Sequence, residues 1–144
     1  QVPTLICHSM GGLAARAWLA AAPDAASRVH KIITIGTPHR GTSLARFSHV
    51  ANGRQMRRDC EWQHSLMERE LELHPRRNAE LFVCWYSNTD NIVFPASTAT
   101  LPGADNRLVA GVAHVALAFY PRVMDESLAM VASAARSPSE RTDS

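Results

Sequence analysis

Cys7-His8-Ser9-Met10-Gly11-Gly12 follows an apolar run, residues 2–6, and precedes an alanine-rich stretch, residues 13–22. An apolar strand, a serine with small residues two places to either side, then a helix: this is the pattern of a nucleophile elbow. A turn sharp enough to lift a serine Oγ clear of the backbone needs strained dihedrals and a close strand–helix approach. Small side chains fit the flanking positions, here Cys7 and Gly11, with Cys7 standing where a glycine is usual. The helix that follows aims free backbone N–H groups and a partial positive charge at the turn, where an oxyanion would develop.

Outward from the elbow, residues 13–22 read as a helix with Leu13, Ala17, Trp18 and Ala21 on one face, stopped by Pro23-Asp24. Residues 30–35 form a β-branched run bounded by Gly36 and Pro38, hence a buried strand. Residues 43–78 differ in character. They are rich in Arg, Glu and His, with Met56, Trp62, Leu66, Met67, Leu71 and Leu73 interspersed, and the spacing predicts a helix over 65–73. A second apolar strand is expected at 81–86, followed by the turn formers Ser87-Asn88-Thr89-Asp90-Asn91. The last strand is expected at 106–111 and a closing helix at 123–135, with 136–144 a polar, frayed tail. Strands alternating with helices imply an α/β fold with a parallel sheet.

Composition is that of an ordinary globular domain, 46% hydrophobic and 19% charged with a formal net charge of +2. That balance does not point to nucleic acid, and fourteen of the fifteen basic residues are arginine. Cys7, Cys60 and Cys84 are odd in number and far apart, which suits small core residues better than a disulfide framework. No Cys or His pair has the spacing of zinc ligands, so no metal is expected.

In a parallel sheet, functional groups gather beyond the carboxyl ends of the strands. Asp90 lies in the loop after a strand's C-terminal end, whereas Asp105 is expected before its strand, at the opposite edge. Asp24 and Asp125 sit at helix ends and Asp59 in the insertion. Among the histidines, His39 and His114 closely follow strand ends, and His114 completes the order Ser…Asp…His. His8 should alternate away from Ser9, and His30 starts a strand. A serine hydroxyl is a weak nucleophile until an imidazole takes its proton, and the imidazole needs a carboxylate to fix its tautomer and stabilise its cation.

Four segments carry a resemblance to the α/β-hydrolase superfamily, specifically its lipase- and esterase-like serine hydrolases. They are Cys7–Gly12 with its Leu13-Ala14-Ala15-Arg16 continuation, residues 35–42, residues 90–95 and residues 111–117. Within the second, Gly-Thr-Pro-His-x-Gly-Thr is similar to a segment of bacterial triacylglycerol lipases and of relatives of the GPI inositol deacylase. The resemblance covers the C-terminal part of such a domain, residues 1–135, with 43–78 in the place of a cap or lid. It implies Ser9 as nucleophile, Asp90 as acid, His114 as base and the Met10 N–H as one oxyanion donor. Thr37, Pro38 and His39 should border the acyl pocket, His39 as a structural or rim histidine and not as a second base.

The expected reaction is hydrolysis of a carboxylic ester, lipid-like in preference to small and polar, without a cofactor. Contact with a lipid interface or membrane surface is in keeping with it. Acyl transfer or lipid-anchor deacylation by the same triad is one alternative, and an inactive hydrolase-fold binding protein another. Gln1 is not an initiator methionine, and strands expected beside residues 2–7, a central strand in this reading, are not in the sequence; the chain is therefore expected to be truncated. Alone it should associate or stay partly unfolded, with negligible esterase activity, because one strand edge and one oxyanion donor would be missing.

Overall fold

The computed structural model describes residues 2–42, 58 and 60–135. Four strands, β1 (Thr4–His8), β2 (Lys31–Ile35), β3 (Phe82–Tyr86) and β4 (Asp105–Leu108), form one sheet in the order β1-β2-β3-β4. Every pairing is parallel, with Cys7 opposite Thr34 and Thr34 opposite Cys84. The helices are α1 (Gly11–Ala21), α2 (Glu61–Leu73), α3 (Arg77–Leu81), α4 (His114–Leu117) and α5 (Pro121–Ala135). This is the expected α/β architecture. Among the described residues β1 lies at one edge of the sheet, and Ile6 on it is 44% exposed.

Period-2 alternation along β2 and β3 sorts their side chains onto two faces. Ile32, Phe82 and Cys84 pack with Ala15 and Leu19 of α1 on one face. Ile33, Ile35, Val83 and Trp85 pack with Leu117 and Val123, from α4 and α5, on the other. Both faces of these inner strands are covered, which is why 32–35 and 82–85 lack the polar-apolar alternation of a strand with one wet face.

Several boundaries move. Leu81, read as the start of a strand, ends the short helix α3 instead, because an apolar residue at a helix end and one at a strand start look alike in sequence. β4 begins at Asp105 and stops at Leu108, not 106–111, since the chain turns off at Gly111 with φ +76°. α2 starts four residues earlier than expected, at Glu61, and α5 starts at Pro121, where a proline is tolerated in the first turn. Residues 43–57 and 59 of the expected insertion, and the expected tail at 136–144, lie outside the described residues. No helix among the described residues is long and apolar enough to cross a membrane.

α2 packs against α1 through buried charge. Glu70 lies 3.0 Å from an Arg16 terminal nitrogen and 2.9 Å from one of Arg77, all three side chains fully buried. Arg16 Nε also donates to the same carboxylate, and its other terminal nitrogen donates to the carbonyl of His39 at 2.9 Å. Burial pushes the Glu70 carboxyl up against the pull of both guanidinium groups, and burial brings Arg77 down to about 10.

Candidate active site

Ser9 stands between β1 and α1 with φ +52°, a left-handed conformation unusual for a residue carrying a Cβ. Its N–H donates to Ile35 O of the neighbouring strand at 2.9 Å, which ties the turn to the sheet edge. Holding a serine there costs of the order of 1–3 kcal/mol and persists where the surroundings over-determine it. Gly12 is one such constraint. A Cβ at that position would lie 2.2 Å from Thr37 Oγ1, so helix and loop meet closer than any other residue allows. Met10 is the N-cap of α1, and its N–H belongs to the unsatisfied first turn of the helix.

The loop after β3 brings Asp90, and the loop after β4 brings His114. His114 Nε2 is 3.0 Å from Ser9 Oγ, and His114 Nδ1 is 2.8 Å from Asp90 Oδ2. Residues separated by more than a hundred positions thus form one hydrogen-bonded series, Ser9–His114–Asp90. The histidine and the carboxylate are nearly fully buried, at 3% and 2% side-chain exposure. Burial pushes the Asp90 carboxyl up, but hydrogen bonds from His114 and from the amides of Val93 and Ile92 outweigh it and hold the carboxyl below its ordinary value. Those amides donate to Oδ1 at 2.8 and 2.9 Å, leaving Oδ2 for the imidazole.

The same loops are sewn together by contacts that the sequence did not suggest. Asn91 Oδ1 accepts the N–H of His114 at 3.1 Å, and Asn88 Oδ1 accepts that of Gly111 at 3.0 Å. Gly36, at φ +57°, lies under the pair. A Cβ there would come within 3.1 Å of the His114 ring and 3.3 Å of Asp90 Oδ2. His8, set aside on its alternation, has its ring centroid 5.0 Å from that of His114. Its position at the last residue of β1 was the available signal. Asp105 is the first residue of β4, at the far end of the sheet, and is paired with Arg107 at 2.7 Å.

Thr37, Pro38 and His39 are buried in the loop after β2. The His39 imidazole is engaged beneath the sheet, 3.1 Å from Thr34 Oγ1 and 3.7 Å from Cys84 Sγ. Burial, then Arg16 and Arg77, hold it well below its ordinary pKa and so neutral. A cavity of about 250 Å³ between this loop and α2 is lined by His39, Arg40, Gln63, His64, Met67 and Pro102, and by none of Ser9, Asp90 or His114. Apolar side chains that follow the series in sequence are exposed instead: Met10, Ile92, Phe94, Val115 and Phe119, the last at 76%.

A parallel sheet with a serine on a strained strand-to-helix turn, and an aspartate and a histidine on later strand exits, defines an α/β-hydrolase fold. Within that class the chain belongs to the PGAP1-like alpha/beta domain family, whose pattern matches residues 3–94. No curated protein matches it by sequence. Among solved structures it is similar to the mature form of the Bacillus licheniformis lipase BlEst2, with a TM-score of 0.71 at 16% identity. It is also similar to Aspergillus fumigatus lipase B, with a TM-score of 0.53 at 20% identity. The matches cover 91% and 77% of this chain, which spans 66% of the Bacillus enzyme and 27% of the Aspergillus one.

Proposed function

We propose that this chain carries the triad of a serine hydrolase that cleaves carboxylic esters, lipid-like acyl esters in particular, through an acyl-enzyme. The observation that carries the reading is the series Ser9 Oγ, His114 Nε2, His114 Nδ1, Asp90 Oδ2, with contacts of 3.0 and 2.8 Å. Ser9 Oγ attacks the ester carbonyl while His114 Nε2 takes its proton. The Met10 N–H faces the oxygen that becomes negative. The tetrahedral species collapses, the C–O bond to the alcohol breaks, and His114 returns the proton to the departing oxygen. Water, deprotonated by the same nitrogen, then releases the acid and restores Ser9. Asp90 stays ionised throughout and stabilises the imidazolium, which its lowered pKa favours.

The preference for an apolar acyl group rests on the exposed Met10, Ile92, Phe94, Val115 and Phe119, which closely follow the three residues in sequence. Loop 37–39 borders that acyl group, with the His39 side chain held beneath it. The segment Gly-Thr-Pro-His-x-Gly-Thr, similar to that of GPI inositol deacylase relatives, makes a lipid-anchor ester a second substrate of the same chemistry. No step requires a metal or organic cofactor. The test is labelling of the full-length protein that contains this sequence by a fluorophosphonate, with turnover of p-nitrophenyl esters of increasing chain length. Ser9→Ala should abolish both, and undiminished labelling of that variant would overturn the assignment.

A further inference from the structure

We propose that Thr42 is the positioning residue of the acid: its buried hydroxyl sets the loop that carries Asp90 and so fixes the Asp90–His114 contact. The inference rests on the triad reading above. Asp90 begins a loop, 90–94, that belongs to no strand or helix. Its carboxylate is oriented from within, because Oδ1 accepts the N–H groups of Ile92 and Val93 and only then does Oδ2 face the imidazole. The carboxylate is therefore only as well placed as those two amides.

Thr42 holds them from outside. Its hydroxyl donates to the carbonyl of Ile92 at 2.5 Å and accepts the N–H of Phe94 at 3.1 Å, bracketing Val93. A hydroxyl has one proton to give and lone pairs to receive, so serine or threonine can make both bonds, whereas the isosteric valine can make neither. Thr42 is 4% exposed, and water cannot readily stand in.

Thr42 is itself held. The loop leading to it is pinned where Arg16 donates to His39 O at 2.9 Å and where Arg40 N–H donates to Thr98 O at 3.1 Å. Gly41 closes it with a bond to Pro38 O at 2.9 Å. This gives the second threonine of Gly-Thr-Pro-His-x-Gly-Thr a task, since it spans from the loop after β2 to the loop after β3. None of its hydrogen bonds reaches a side chain of the triad, so it acts through Asp90 alone.

The experiment compares Thr42→Val, Thr42→Ala and Thr42→Ser in the full-length protein that contains this sequence by three readouts. These are kcat and KM for a p-nitrophenyl ester across pH, thermal midpoint, and the far-downfield proton resonance of His114 Nδ1, assigned by its loss in His114→Ala. The valine and alanine variants should lower kcat about ten- to a hundredfold with KM little changed, the effect of a small misplacement. With the carboxylate displaced, the imidazolium formed during turnover is less stabilised, and the pH dependence of kcat/KM should change. The resonance should move upfield or broaden, and serine should restore all three.

A pH profile and resonance unchanged in folded Thr42→Val or Thr42→Ala would overturn the proposal. So would a serine variant no better than valine, or a folded wild type without the resonance. A wild type that shows the resonance but turns over no ester would defeat the ester reading instead, and the resonance would then decide the role of Thr42. The alanine variant makes the same deletion if valine does not fold.

Discussion

Replacing Glu70 by glutamine removes the carboxylate that compensates two fully buried guanidinium groups. On an exposed pair such as Arg28–Asp24, at 59% and 68% exposure, the loss would be small, because water screens both charges. Here no water takes over. Arg16 keeps its bond to His39 O but loses its charged acceptor at Nε and at one terminal nitrogen, and Arg77 loses its counter-charge. Breaking a buried pair by removing one partner costs about 3–5 kcal/mol. Against a typical total of about 5–15 kcal/mol, that is a large share of the stability. At about 2–4 °C per kcal/mol for a domain of this size, the thermal midpoint should fall by on the order of 10 °C. Circular dichroism melts and urea titrations of Glu70→Gln, with Asp24→Asn as the exposed control, would measure it. Replacing all three charged residues together by Met or Leu should recover much of the loss, as apolar substitutes for buried ion groups commonly do. A Glu70→Gln variant that melts like the exposed control would refute the reasoning, and would mean that the guanidinium groups find other acceptors or water.

Gly36→Ala places a methyl 3.1 Å from the His114 ring at a backbone φ of +57°. It should cost about 1–2 kcal/mol of stability for the left-handed conformation and reduce ester turnover more than that loss explains; full turnover would show that the ring can yield. Acid should destabilise the fold through His39, which burial and two guanidinium groups keep neutral. Its folded pKa is depressed, so its contribution is present above the ordinary histidine range and is lost as pH falls toward the folded value, because the unfolded chain takes up the proton first. The slope is about 1.4 kcal/mol per pH unit for one proton, and urea midpoints of wild type and His39→Asn across that range would show whether it disappears with the imidazole. Asp90, held below its ordinary value, adds a further loss as pH falls through the carboxylate range.

The elbow was legible because its constraint is local. Sterics demand small residues around a left-handed serine, and Cys7, Gly11 and Gly12 supply them. Asp90 and His114 could be selected because strand direction decides which loops share an edge, so two apolar runs and a rule about carboxyl ends were enough. The losses came where one residue satisfies two patterns. Leu81 is as acceptable at a helix end as at a strand start, and Leu108–Gly111 looks extended although pairing stops at Leu108. His8 was set aside because alternation predicts which face a side chain takes, not which ring comes to stand above it. Arg16 and Glu70 are 54 residues apart, and nothing in either neighbourhood marks them as partners. Charged residues in a helix read as solvated by default, and only the packing of α2 on α1 places them inside.

The contact between Gly12 and Thr37 has a consequence for how this sequence can change. Three atoms of the threonine side chain lie 2.2, 2.6 and 2.8 Å from where a Cβ at position 12 would stand. The two positions therefore constrain each other sterically. A side chain at 12 fits only if residue 37 loses its own side chain, and a side chain gained at 12 first would keep the elbow helix from seating. Mutational scans made on this background will show position 12 as closed. A Thr37→Ala background still leaves a Cβ 2.8 Å away, so the same scans should find position 12 open only on a Thr37→Gly background, a coupling visible only when the two are varied together.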